Sequence, residues 1–165
     1  MRIATPRLAR KLILPISVTC ILLSCAPRGD EHLAEDVDRY LERMQAWASV
    51  EVETDMAIRS ILATQFVDDA AVLRILADSR PIVTRQIRTL EACRPGTPDV
   101  QAIHTAYLQG WRDLLNGYFL IEQGIEAADG RRIAQGRNAL TNWRRSLRTI
   151  AIDLADLATL TDGRT

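Results

Sequence analysis

Two consecutive seven-residue repeats constrain this chain more than any other feature. Val100, Tyr107, Leu114, Ile121 and Ala128 recur at that interval, with His104, Trp111, Tyr118 and Ile125 running beside them. The pattern restarts beyond Asp129-Gly130 as Ile133, Leu140, Leu147 and Leu154, flanked by Gly136, Trp143, Ile150 and Leu157. A seven-residue period places these positions on one seam of an α-helix, and such a seam needs another helix to cover it. The spacing predicts a helix starting near Pro98 and a second over 131–160, joined by a tight turn at Asp129-Gly130. Thr97 is the expected N-cap, with Pro98 in the first turn, where its missing N–H costs nothing.

The upstream part has the same character. Leu33, Val37, Tyr40, Leu41, Met44, Trp47, Ala48, Ile58, Ile61 and Leu62 predict a helix over 31–65. Asp68 and Asp69 suit the positive start of a helix over 68–93, whose core face is Val72, Leu76, Val83, Ile87 and Leu90. Pro81 lies inside that stretch and either kinks the helix or divides it at Asp78-Ser79. Arg94-Pro95-Gly96-Thr97-Pro98 is the clearest loop. No segment alternates with the two-residue period of a strand. The expected fold is all-α, an antiparallel up-down four-helix bundle with helices roughly 40–50 Å long.

The N-terminus carries a different message. Arg2, Arg7, Arg10 and Lys11 precede an apolar run from Leu12 to Leu23, and Leu22-Leu23-Ser24-Cys25 closes it. A basic start, a short apolar core and a small residue before a cut site make an export signal. The run falls short of the roughly 20 residues that a membrane-spanning helix needs. The closing tetrapeptide resembles the lipobox of bacterial lipoproteins, with Leu22, Ser24 and Cys25 fitting and Leu23 a tolerated variant. The resemblance implies removal of residues 1–24 and acylation of Cys25 as the mature N-terminus. Residues 25–30 would then be the lipidated cysteine and a short tether, and 31–165 the bundle domain. One acyl chain holds a protein only marginally, whereas the two or three chains of that family anchor it stably. Ala26 follows Cys25 where aspartate would resemble an inner-membrane retention signal. The expected location is therefore the cell envelope, with the outer membrane facing the periplasm favoured where a cell has both membranes.

Composition narrows the classes of function. The whole chain balances 21 basic against 21 acidic residues, and loss of the signal leaves 17 against 21. That charge does not suit a nucleic-acid partner. On the lipobox reading Cys20 would leave with the signal and Cys25 would be lipidated, so Cys93 alone could form no internal disulfide. Two histidines, His32 in the tether region and His104 on a seam, offer no zinc, copper, heme or di-iron pattern, and no cofactor or metal is expected. There is no Gly-x-Ser-x-Gly and no lysine after Lys11, and the chain is not expected to be an enzyme. Glu51, Thr54 and Asp55 interrupt the first apolar seam. They either face water or meet arginines such as Arg80, Arg85 or Arg144, or they form a polar site for acid–base work.

Two features invite a functional reading. Gly110, Gly117 and Gly124 fall on one stripe in register with Ile103, although each glycine costs about 1 kcal/mol against alanine in a helix. The stripe is either a close contact with a neighbouring helix or a shallow groove, flanked by Tyr107, Trp111 and Tyr118, for a lipid tail or partner helix. The second feature is charge segregation. Asp30 to Asp55 holds nine acidic residues and two arginines, whereas Arg131, Arg132, Arg137, Arg144, Arg145 and Arg148 have no acid among them up to Ile152. This either draws the first and last helices together or offers a basic face to anionic lipid or glycan.

Pro98-Asp99-Val100, Ile103-His104, Tyr107, Gly124-Ile125 and Asp129-Gly130 resemble small helical lipoproteins and envelope bundle proteins of unassigned function. Similar members read Pro-x-Glu-Leu, Leu-His-x-x-Tyr, Gly-Leu and Gly-Asp. Here Val100 and Ile103 replace leucines and Asp129-Gly130 is reversed. The likeness spans the last two helices and implies the fold, with no activity. The expected function is a non-catalytic, membrane-anchored structural or interaction module with an envelope protein, lipid or glycan as partner. The alternative is a binding protein for a small apolar or anionic ligand.

Overall fold

A computed structural model describes the backbone of residues 28–63 and 68–162. These residues form four α-helices, α1 (Arg28–Ala63), α2 (Asp69–Ala92), α3 (Pro98–Glu126) and α4 (Gly130–Asp162), and no strand. The signal segment, Cys25 and the expected helix end at Gln65 lie outside the described residues. α1 begins at Arg28, inside the stretch expected as a tether, so His32 stands exposed on a helix. Asp30 and Glu31 are acidic residues of the kind a helix start favours.

Pairs across the helices show that neighbours run in opposite directions. Arg144 of α4 meets Asp55 of α1, while Arg137, earlier in α4, meets Ile61 and Leu62, later in α1. Arg80 and Arg112 pair with Glu122 and Glu91 across α2 and α3. α3 and α4 make the most extensive contact of the bundle.

α2 passes through Pro81 undivided. Pro81 cannot donate to the carbonyl of Ala77, but both residues are exposed, so water can satisfy that carbonyl while the buried face continues from Val72 to Leu90. Asp68 caps the helix by accepting from the Ala70 N–H at 3.0 Å. Thr97 occupies the N-cap position of α3, where its carbonyl accepts from the Gln101 N–H, but its side chain makes no cap bond, because its hydroxyl donates to Asp36 of α1 instead.

The turn between α3 and α4 differs from expectation. Ala128 is not part of the seam. It leaves α3 in the left-handed region at φ 51, and Gly130 opens α4. Asp129 donates its N–H to the Gly124 carbonyl at 2.7 Å and accepts from the N–H groups of Arg131 and Arg132. This closes one helix and caps the next. An alanine in this conformation is strained by about 1–2 kcal/mol. Ala128→Gly is expected to raise the free energy of unfolding by about 0.5–1 kcal/mol once glycine's greater chain entropy is counted. An unchanged or lowered urea midpoint would contradict that account.

The core is one large cluster that includes Leu76, Leu90, Trp111, Leu114, Ile121, Leu140 and Trp143. A smaller one, of Val37, Tyr40, Cys93, Val100 and Leu154, lies where α1 starts and α2 joins α3.

Candidate functional site

The glycine stripe faces α4. A Cβ on Gly117 would lie 2.8 Å from the Ala139 Cβ, and one on Gly124 would lie 2.8 Å from the Ile133 backbone nitrogen. At Gly110 the neighbour is the Ser146 hydroxyl at 3.0 Å. Gly136 of α4 completes the contact, since its own Cβ would sit 2.6 Å from the Gly117 carbonyl oxygen. Tyr107, Trp111 and Tyr118 are fully buried beside this contact. A glycine-lined groove is therefore not formed, because α4 fills it. Gly136 was legible only as a seam residue, and its pairing with Gly117 depends on the register of two helices.

The six arginines of α4 do not make one basic face. Arg137 donates to the carbonyls of Ile61 at 2.9 Å and Leu62 at 2.6 Å, closing the end of α1 where the helix dipole favours a cation. Arg144 is held by Asp55 at 2.6 Å. Arg132 pairs with Asp129, and Arg145 donates to Asn142. Arg131 and Arg148 are exposed, with no ion pair among the described residues. The attraction between α1 and α4 thus rests on one ion pair and one arginine-capped helix end.

The polar groups of α1 meet the other helices along an aromatic ladder. Trp47 stacks on Tyr107 at 6.1 Å, Tyr107 meets Trp111 edge-on, and Trp111 meets Trp143 edge-on at 5.1 Å. Glu51 accepts the Tyr107 hydroxyl proton, Asp55 holds Arg144 and Arg59, and the buried Thr54 hydroxyl has no hydrogen-bond partner among the described residues. Arg80 meets Glu122 and Arg85 forms no ion pair among the described residues, so neither serves the α1 carboxylates. Burial raises the Glu51 carboxyl above its ordinary value, and its bond from Tyr107 offsets only part of this. Burial also pushes the Tyr107 phenol up, and the charge of Glu51 adds to the shift.

His104 lies at the end of this ladder. Nε2 and the Leu90 carbonyl are 3.1 Å apart, and Nδ1 and the Tyr40 hydroxyl are 3.1 Å apart. A carbonyl only accepts, so Nε2 carries the proton and Nδ1 of the neutral ring accepts from Tyr40. Burial depresses the His104 pKa, and Arg94 and Arg43 act in the same direction against its bond to Leu90. Arg43 also donates to the Cys93 sulfur at 2.9 Å.

These groups border an open cleft of about 500 Å³ whose lining includes Cys93, Arg94, Gln101, His104, Thr105 and Arg112. Most of the polar side chains here are already bonded within the protein. Arg94 caps α2 through the Glu91 and Cys93 carbonyls, Arg112 pairs with Glu91, and Gln101 donates to the Pro95 carbonyl. Asp36, Tyr40 and Arg43 escaped the sequence reading as a group. Tyr40 was legible only as a seam residue, Asp36 and Arg43 only as charges beside the seam, and their partners lie more than 45 residues away. Comparison of the chain with protein-family models, with curated proteins and with solved structures gives no match.

Proposed function

We propose that this chain is a lipid-anchored lipoprotein of the cell envelope whose helical domain acts as a non-catalytic structural or interaction module. The observation that carries the reading is the sequence Leu22-Leu23-Ser24-Cys25 at the close of a basic and apolar leader. Only Ala26 and Pro27 separate Cys25 from the start of α1, so an acylated Cys25 would hold the bundle within about 10 Å of the bilayer surface. The turn at Asp129 would lie at the opposite end, roughly 50 Å out along helices of this length.

The interior supports a structural role. His104 ties α3 to α1 and α2, Glu51 ties α1 to α3, and Asp55 ties α1 to α4. Each of these groups, in a position to do chemistry, is engaged in holding helices together. No helix among the described residues is long and apolar enough to cross a membrane.

Cys25→Ala is expected to abolish metabolic labelling by a fatty acid and to move the protein from the membrane pellet to the soluble fraction. Labelling and fractionation that match the parent would refute the anchor.

A further inference from the structure

We propose that the outer face of α2 carries a binding site for a phosphate-type oxyanion, formed by Arg80, Thr84, Arg85 and Arg88 around Pro81. These residues line an open cleft of about 430 Å³. Their spacing puts them on one stripe of the helix, so the guanidinium groups converge on one side. The proposal stands independently of the lipid anchor.

The arginines differ in role. Arg80 is half-buried, with Nη2 2.5 Å from Glu122 and Cζ 5.0 Å above the centroid of the Phe119 ring. Its charge is neutralised and its plane is fixed, which makes it the floor of the cleft. Arg85 and Arg88 are exposed, and neither forms an ion pair among the described residues. Asp78, two turns before Arg85, pairs with neither. Among the lining residues the free balance is two positive charges, with Asp78 outside the lining, against roughly −1.5 to −2 on a phosphomonoester at pH 7. Two guanidinium forks and the Thr84 hydroxyl offer the donor geometry that phosphate oxygens accept. Pro81 leaves the stripe without a side chain able to compete for these donors.

The same chemistry has two sources, a free phosphate and a lipid headgroup. Arg43, fifteen residues after the start of α1, meets Cys93 at the end of α2, so the stripe lies roughly 30 Å or more along the bundle from that start, and experiment separates the two sources. Two arms separate the sources, both using the full chain in nonionic detergent micelles. One titrates inorganic phosphate. The other dopes the micelles with phosphatidylglycerol, with phosphatidylcholine as the control. Calorimetry and the ¹⁵N shifts of the arginine Nε–H groups read binding.

Saturable binding is expected in at least one arm, weakened about tenfold or more by Arg85→Gln with Arg88→Gln and unaffected by Arg131→Gln with Arg148→Gln on α4. Because all four side chains are exposed and unpaired, both variants should keep the parent's circular dichroism. Arg85→Lys with Arg88→Lys, which retains the charge and loses the forks, should fall between. Binding in the phosphate arm assigns a free oxyanion, and binding with phosphatidylglycerol alone assigns a headgroup. No saturable binding in either arm, or equal weakening by the α2 and α4 variants, would overturn the proposal.

Discussion

Gly136→Ala is expected to lower the free energy of unfolding by about 2–3 kcal/mol, although alanine is the better helix former by about 1 kcal/mol. The added methyl would lie 2.5 Å from Ile121 Cγ1, 2.6 Å from the Gly117 carbonyl oxygen and 3.0 Å from the Ile121 nitrogen. Two of these neighbours are backbone, so no rotamer change relieves the clash and α3 and α4 have to separate. Separation would loosen the packing of Trp111 against Trp143, the tightest aromatic pair, with ring centroids 5.1 Å apart. Gly117→Ala and Gly124→Ala should destabilise by about 1–2 kcal/mol, since each would meet a side chain and a backbone atom at 2.7–3.2 Å. Gly110→Ala meets the Ser146 hydroxyl at 3.0 Å, which gives way by loosening its bond to the Trp143 carbonyl, and should cost least of the four. Urea titration followed by circular dichroism ranks the four. A Gly136→Ala variant as stable as the parent, or a series without this order, would show that the helix contact is not tight.

Asp36→Ala is expected to cost about 2–3 kcal/mol, a large loss for an acidic residue. Its carboxylate accepts from the Gly96 N–H at 2.9 Å, the Thr97 N–H at 2.8 Å and the Thr97 hydroxyl at 2.8 Å, with Arg39 at 3.8 Å. One buried side chain thereby fastens the α2–α3 connection to α1. Truncation leaves three donors without an acceptor at a partly buried site.

The same geometry sets a pH dependence. Burial alone would raise the Asp36 carboxyl, but the bonds from Gly96 and Thr97, with the charge of Arg39, hold it below its ordinary value. Because the folded state prefers the ionised form, this stabilisation is complete above the unfolded value, near 3.9, and is lost as pH falls through the lower folded value. Acid titration of stability should therefore be shallower for Asp36→Asn than for the parent below about pH 4. Superimposable acid limbs would show that Asp36 is not the clamp.

The sequence by itself determined the helices and the faces they bury. The seven-residue seams of α3 and α4 follow from apolar side chains at helical spacing, a local property of a helix of any tertiary context, and Val100, Tyr107, Leu114, Ile121, Leu140 and Leu154 are indeed buried. Asp68 and Pro98 marked helix starts for equally local reasons of backbone bonding. The turn at Asp129-Gly130 was legible as a break but misjudged in detail. That the left-handed conformation falls at Ala128 depends on how the closing α3 carbonyls find partners, here Gly124 with Asp129 and Ile125 with Ala128.

Tertiary structure decided everything that depends on which residues meet at long range. Arg137 and Arg144 share a segment with Arg145 and Arg148, yet the first two are drawn inward because the end of α1 and Asp55 lie at their height in the bundle. Glycines on one stripe fit both a groove and a helix contact, and the register that sets Gly117 against Gly136 selected the contact. Asp36 reads as one acid in an acidic stretch until folding brings Gly96 and Thr97 to it. The physical reason is common to all three. Periodicity fixes the direction of a side chain around its own helix axis, while its partner is fixed by axial register and crossing between helices, which only packing of the whole core sets.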